Sequence, residues 1–151
     1  MMLERIYNFI QLSEEIATSG QPTAEQLKNI AQAGFEIVIN LGLTGTDYAL
    51  ADEEGWVRQL GMSYIHVPVL WEAPTRENLE AFFSVLEEHK SKRIFVHCAA
   101  NMRVSVFMAL YRILRLGWTC ERAFEDVRKI WEPDGQWSAF IEDILGQGGY
   151  H

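Results

Sequence analysis

Cysteine is scarce in this 151-residue chain: Cys98 and Cys120 are the whole complement, beside four prolines and four histidines. Two cysteines cannot form a disulfide framework, and neither lies in a Cys-x-x-Cys pair of the metal or redox kind. His66, His89, His97 and His151 show no His-x-x-x-His or other ligand spacing, so no metal or cofactor is expected. Basic residues are also few. Thirteen Lys and Arg against 21 Asp and Glu leave a formal charge of -8, which disfavours non-specific binding to nucleic acid or to an anionic membrane. No stretch approaches the ~20 unbroken apolar residues of a membrane-spanning helix. Met1 to Ser19 carries Glu4, Arg5, Glu14 and Glu15 and lacks the apolar block of a signal peptide. It reads as part of the fold, and a cytoplasmic location follows. What is present is 48% hydrophobic and 23% charged residues, a mix and length that bury one core and make residues 1–151 a single domain.

Helices and strands alternate along the chain. Thr23-Ala24-Glu25-Gln26 after Pro22 is a capping-box pattern, and Leu27, Ile30 and Ala31 repeat at helical spacing up to Gly34. Phe35 to Leu41 is a β-branched run suited to a strand covered on both faces. The spacing predicts a helix over Tyr48 to Leu60, although Gly55 weakens it. Met62 to Val69 is the next strand, placed near an edge by Pro68. Thr75 caps a helix whose Leu79, Phe82, Phe83 and Leu86 form one stripe. Arg93 to His97 is a buried strand, and Val104 to Leu116 an apolar core helix stopped by Gly117. A helix over about Thr119 to Trp131, a short one over Ser138 to Leu145 and a loose tail from Gly146 to His151 complete the pattern. Strands separated by helices imply an α/β fold, a mainly parallel central sheet flanked by helices, with chemistry at the C-terminal strand ends.

Ile94 to Ser105 (IFVHCAANMRVS) is the most informative segment: a strand ends at a cysteine, turns tightly through small or uncharged residues and enters a helix. Main-chain N–H groups of such a turn and the positive end of the helix favour an anion. The same field pushes a thiol toward thiolate, and Arg103 adds a planar fork of donors matched to phosphate oxygens. Cys98 is therefore a candidate nucleophile, with Ala99, Ala100, Asn101, Met102 and Arg103 as the anion cradle. Cys98 and Cys120 are not expected to pair, because the intervening helix of about 13 residues spans ~20 Å. Lys90, Lys92, Arg93, Arg103, Arg112 and Arg115 form a stretch without acidic residues. Only Arg103 should face the anion, since Arg112 and Arg115 fall in the last helical turns, where they complement the dipole.

Val96-His97-Cys98 with Arg103 and Ser105 resembles the signature of the cysteine-dependent protein tyrosine and dual-specificity phosphatases: His-Cys, five residues, Arg, then Ser or Thr. Ser19-Gly20-Gln21-Pro22-Thr23, Val38-Ile39-Asn40-Leu41, Tyr64-Ile65-His66-Val67-Pro68-Val69 and Trp71-Glu72-Ala73-Pro74-Thr75 extend the likeness to a small bacterial branch of that superfamily, over about residues 10–145. The resemblance implies a single dual-specificity-phosphatase-like α/β domain that takes a phosphorylated protein or small molecule, plausibly phosphotyrosine, and holds phosphate or sulfate in its loop. It departs in two respects. Four residues, not five, separate Cys98 from Arg103, and the usual mid-loop glycine is absent. Asn101 can substitute there because asparagine tolerates the left-handed backbone.

By the same resemblance Cys98 would attack phosphorus, the loop amides and Arg103 would hold the equatorial oxygens, and Ser105 would hydrogen-bond the sulfur. His97 would orient the cysteine backbone or simply pack at the strand end. The family places an acid after the strand equivalent to Ile65 to Val69, where this chain offers Glu72, with Asp134 and Asp47 as alternatives. Trp71 and Trp131 are expected at the rim, or as packing groups. Two other readings stay open. The Cys-x4-Arg spacing also suits a rhodanese-type sulfurtransferase working through a Cys98 persulfide, and a non-catalytic module could bind oxyanions with the same loop.

Overall fold

The computed structural model describes residues 3–146. After a 3₁₀ turn at Leu3–Arg5, the strands are β1 (Ile10–Gln11), β2 (Ile16–Ser19), β3 (Ile37–Asn40), β4 (Ser63–His66) and β5 (Ile94–His97). The helices are α1 (Ala24–Gln32), α2 (Glu53–Gln59), α3 (Arg76–Glu88), α4 (Met102–Leu114), α5 (Cys120–Ala123), α6 (Glu125–Ile130) and α7 (Gly135–Leu145). The sheet order is β1-β2-β5-β3-β4, with β1 antiparallel to β2 and every other neighbouring pair parallel. This is the single-domain α/β architecture with a mainly parallel sheet that the sequence predicts.

Strand alternation sorts the core into two layers. Ile37, Ile39, Ile94 and Val96 face α3, α4 and the C-terminal helices, in one cluster with Phe82, Phe107 and Trp137. Val38, Phe95 and Ala17 face the other way, onto Leu27, Ile30, Val57 and the N-terminal Leu3 and Ile6. α4 is buried at every position from Arg103 to Arg112, so it is the central helix of its layer rather than an amphipathic cover.

Local chemistry explains most boundaries. Thr23 with Gln26 and Thr75 with Asn78 form reciprocal capping boxes that start α1 and α3. β4 is an edge strand, as expected, but it is shorter than the predicted Met62 to Val69 and ends at His66, before Pro68. The predicted helix over Tyr48 to Leu60 is shorter: residues 44–51 are turns and bends, and α2 begins only after Asp52, whose carboxylate caps Gly55 N–H at 3.3 Å. A Cβ at Gly55 would collide with that carboxylate, so glycine permits the cap rather than weakening a helix interior. The helix expected over Thr119 to Trp131 breaks at Phe124 into α5 and α6, α7 starts three residues before Ser138, and α4 starts two before Val104. β1 and β2 have no counterpart in the sequence reading, because Ile-Gln and Ile-Ala-Thr-Ser are too short to carry an alternation. The expected loose tail lies outside the described residues except for Gly146.

Phe95 packs between Phe9, stacked at 6.2 Å, and Phe35, edge-on at 5.4 Å. Its ring joins the central strand to the N-terminal layer. Phe95→Ala should lower unfolding free energy by about 3–5 kcal/mol in urea titrations monitored by far-UV circular dichroism.

Candidate active site

The parallel register aligns the C-terminal ends of four strands, so that Ser19, His97, Asn40 and His66 stand in one row across the sheet. β5 lies in the middle of that row, and the chain leaves it at Cys98. The thiol-bearing residue is 1% exposed, and its N–H reaches Ser19 O at 3.4 Å. From there residues 99–101 turn directly into α4. Cys98, Ala99, Ala100, Met102, Arg103 and Trp71 line one cleft of about 210 Å³. A larger hollow of about 400 Å³, bordered by Thr44, Thr46, Asp52, Glu53, Tyr64 and His66, has neither cysteine nor arginine in its walls. The predicted cysteine and arginine both line the smaller one.

Two loop carbonyls are engaged by donors from the N-terminal segment: Ala99 O accepts from Gln21 N at 3.0 Å and Ala100 O from Asn8 Nδ2 at 2.9 Å. Asn101 takes the left-handed conformation at φ 66°, as the missing glycine requires. Its side chain turns away from the cleft, donating to Asn8 O at 2.8 Å and to Thr18 Oγ1 at 3.0 Å. Of the predicted cradle, Asn101 can thus contribute only its backbone.

Arg103 is 6% exposed. Its Nη2 reaches Tyr48 Oη at 3.4 Å, its guanidinium carbon lies 5.8 Å from the Trp71 ring centre, and Nε and Nη1 have no partner within the chain. Arg103 is also among the residues lining the Cys98 cleft, and a buried guanidinium with two nitrogens unpartnered within the chain is a costly arrangement that an anion would relieve. By contrast Arg93, Arg112 and Arg115 are engaged elsewhere: Arg93 on the Phe35 ring, Arg112 with Asp126 at 2.8 Å and Arg115 with Glu80 and Glu87. The basic stretch is not a patch, and of its six residues only Arg103 lines the cleft.

The other predicted residues separate. Ser105 Oγ donates its proton to Met102 O at 2.7 Å and accepts Trp131 Nε1–H at 3.1 Å. A hydroxyl has one proton, so in this arrangement Ser105 anchors the first turn of α4 instead of donating to the sulfur. Trp71 forms the cleft wall, while Trp131 stacks behind it at 5.3 Å. Trp137 Nε1–H and Gln136 Nε2–H both donate to Trp71 O, at 2.9 and 3.2 Å, which fixes the 70–75 connector on α7. Glu72 follows Trp71 on that connector and is exposed; Asp134 is the exposed residue before α7, and Asp47 is exposed beside Tyr48. None of the three carboxylates is among the cleft-lining residues. No disulfide joins Cys98 to Cys120. Among the described residues no group of three His, Cys, Asp or Glu could hold a metal ion, and no helix is long and apolar enough to cross a membrane.

Behind the cysteine lies a pair that sequence reasoning missed. His97 is fully buried, with Nε2 2.5 Å from Glu53 Oε2 and Nδ1 3.3 Å from Cys98 O. Glu53 is 5% exposed and also accepts from Gln21 Nε2 at 2.9 Å. Burial alone would raise its carboxyl, but the hydrogen bond and charge of His97, with Gln21 assisting, hold it below the ordinary carboxylate value. Its sole sequence signal was an acidic residue in a helical first turn, which is ordinary.

A mainly parallel sheet whose middle strand leads into a cysteine, followed by a tight turn into a helix that carries a buried arginine, is the arrangement of the dual-specificity and tyrosine phosphatase-like superfamily. Within it, the chain belongs to the family described as PTP-NADK, DSP-PTPase phosphatase fused to NAD+ kinase, whose model matches residues 8–139. The family is a phosphatase one, not a sulfurtransferase one. A crystal structure from Shewanella putrefaciens CN-32, described as a candidate phosphatase (DUF442), is 31% identical and superposes with a TM-score of 0.82 over 94% of this chain and 93% of that one. TpbA of P. aeruginosa, solved in complex with pTyr, is 17% identical with a TM-score of 0.71, covering 95% and 86%, and shares the fold. The Beta-lactamase hydrolase-like protein of Xylella fastidiosa (strain Temecula1) is 27% identical over 108 residues, 70% of this chain. The chain spans 25% of the length of that curated relative.

The depressed Glu53 carboxyl has a definite pH signature. A group whose folded value lies below its unfolded one contributes stability above the unfolded value and loses it as pH falls through the folded one. Glu53→Gln should therefore be less stable than the native chain by about 1.5–3 kcal/mol near neutrality. Urea midpoints of the two should converge as pH is lowered from the ordinary glutamate value of 4.5.

Proposed function

We propose that the chain hydrolyses phosphomonoesters, phosphotyrosine among them, through a phosphocysteine on Cys98. The carrying observation is that Arg103, a buried arginine with two nitrogens unpartnered within the chain, lines the same cleft as Cys98. In the first step the Cys98 thiolate attacks phosphorus, an S–P bond forms and the P–O bond to the leaving group breaks. In the second a water oxygen attacks the same phosphorus, the S–P bond breaks, and phosphate leaves with regeneration of the thiolate. Arg103 and the loop amides gain most where charge spreads over the equatorial oxygens, which is how they accelerate rather than merely bind.

Glu72 is the proposed proton donor to the leaving oxygen, since it adjoins the cleft wall and the connector that carries it is pinned by Trp137 and Gln136. The apolar wall of Trp71, Met102, Ala99 and Ala100 suits a flat aryl group. The pTyr complex of TpbA supports that substrate class by analogy of fold. A cytoplasmic setting, which keeps Cys98 reduced, goes with this reading.

Hydrolysis of p-nitrophenyl phosphate should fall at least ~10³-fold in Cys98→Ser and ~10²-fold or more in Arg103→Ala. Glu72→Gln should lower kcat for phosphotyrosine by about 10²-fold but change p-nitrophenyl phosphate turnover little, because p-nitrophenolate departs unprotonated. Activity that survives Cys98→Ser would refute the phosphocysteine. Phosphate that stabilises the protein thermally while no ester turns over would mark a binding module instead.

A further inference from the structure

The anion cradle is not held by its own loop. The segment before α4 is one residue shorter than the phosphatase signature and has no glycine, and its two carbonyls are tied to chain about 80 to 90 residues earlier. Asn8 is the hub of that tie. It is a non-glycine residue at φ 53°, a conformation that costs free energy unless the surroundings hold it. Its Nδ2 donates to Ala100 O at 2.9 Å, and its own carbonyl receives Asn101 Nδ2 at 2.8 Å, so two left-handed asparagines 93 positions apart are joined by one direct bond and by a second to the peptide preceding Asn101. A second tie runs in parallel, where Gln21 N donates to Ala99 O and Gly20 makes a β-bridge with Ala100. Gly20 is needed for that approach, because a Cβ there would stand 2.6 Å from Ala99 O.

In a trans peptide the carbonyl and the following N–H point in opposite directions. Holding Ala99 O on Gln21 turns the Ala100 N–H away from that strand, and holding Ala100 O on Asn8 fixes the plane of the Ala100–Asn101 peptide. A carbonyl released from Asn8 could rotate its negative oxygen toward the anion. From this we infer that Asn8 is a positioning residue for the reaction: it sets the Ala100–Asn101 peptide in its anion-accepting orientation, doing from outside what a glycine and an extra residue would do within the loop. The inference rests on the oxyanion-binding role proposed for the cleft.

Asn8→Gly isolates the effect, because glycine keeps φ 53° without strain and removes only the donor to Ala100 O. Asn8→Asp retains the side-chain size and replaces the donor by an acceptor. Inorganic phosphate binding, measured by titration calorimetry, should weaken about ten-fold in Asn8→Gly and at least as much in Asn8→Asp. The second readout compares alkylation of the Cys98 peptide by iodoacetate, an anion the cradle should capture, and by neutral iodoacetamide, both followed by mass spectrometry. The iodoacetate-to-iodoacetamide rate ratio should fall several-fold in both variants, whereas simple loosening would move both rates together and leave the ratio unchanged. Phosphate affinity and rate ratio within two-fold of the native chain in either variant would overturn the role of Asn8. A native chain that binds no phosphate would instead remove the oxyanion-site reading beneath it, a result that needs no variant to observe.

Discussion

A guanidinium that is almost wholly buried, with two nitrogens unpaired, is costly to fold. Arg103 bears a second cost, because it lies in the first turn of α4, where the helix dipole is already positive and favours anions over cations. Both penalties have the same sign and the same remedy. A dianion beside Cys98 would satisfy the free guanidinium donors, meet the helix end, and neutralise a charge that the protein otherwise balances only with the neutral hydroxyl of Tyr48 and the ring of Trp71. A carboxylate in place of Tyr48 would have stabilised the empty fold and removed the electrostatic reason for phosphate to bind.

The surrounding structure reads as the means of keeping that charge in place. β5 must be central so that neighbouring strands on both sides fix the point at which the chain turns, and its ladder partners are β2 and β3. α4 must be packed on every side, since a buried arginine in a fraying helix would turn out to solvent. The Ser105 hydroxyl and Trp131 indole secure its first turn, and Trp137 secures the opposing Trp71 wall. Rigidity at the cleft is therefore borrowed from the C-terminal helices on one side and from the N-terminal residues on the other.

How much of this was legible depended on whether the cause was local. Thr23-x-x-Gln26 and Thr75 announced α1 and α3 because a cap is satisfied within four residues. The order of strand, Cys98, tight turn and helix was legible for the same reason, and Asn101 could be placed in the left-handed region from its chemistry alone. Ser105 was legible as a position in a motif but not as a contact, since its proton acceptor was decided by the early start of α4 and by Trp131 across the layer. Asn8, Glu53 and Tyr48 were invisible because each acts on residues far along the chain, and β1 and β2 because they are short. A two- or four-residue strand has no period to detect, and nothing near Glu53 in sequence says that it will meet His97.

His97 and Arg103 show why pairing, rather than burial, separates scaffold from site. Both are basic, both are nearly inaccessible and they lie six positions apart. Glu53 answers His97, and burying the two together fastens α2 to the end of β5. Breaking such a pair exposes an unmatched group to a low-dielectric interior, so its contribution is conformational definition. Among the described residues no carboxylate pairs with Arg103. The molecule thus spends an acidic residue where a charge need only be held still and withholds one where a charge must remain available. Of the two buried arginines among the described residues, Arg112 is paired with Asp126 and Arg103 with no carboxylate, a contrast that points to an anion more strongly than the cysteine motif alone.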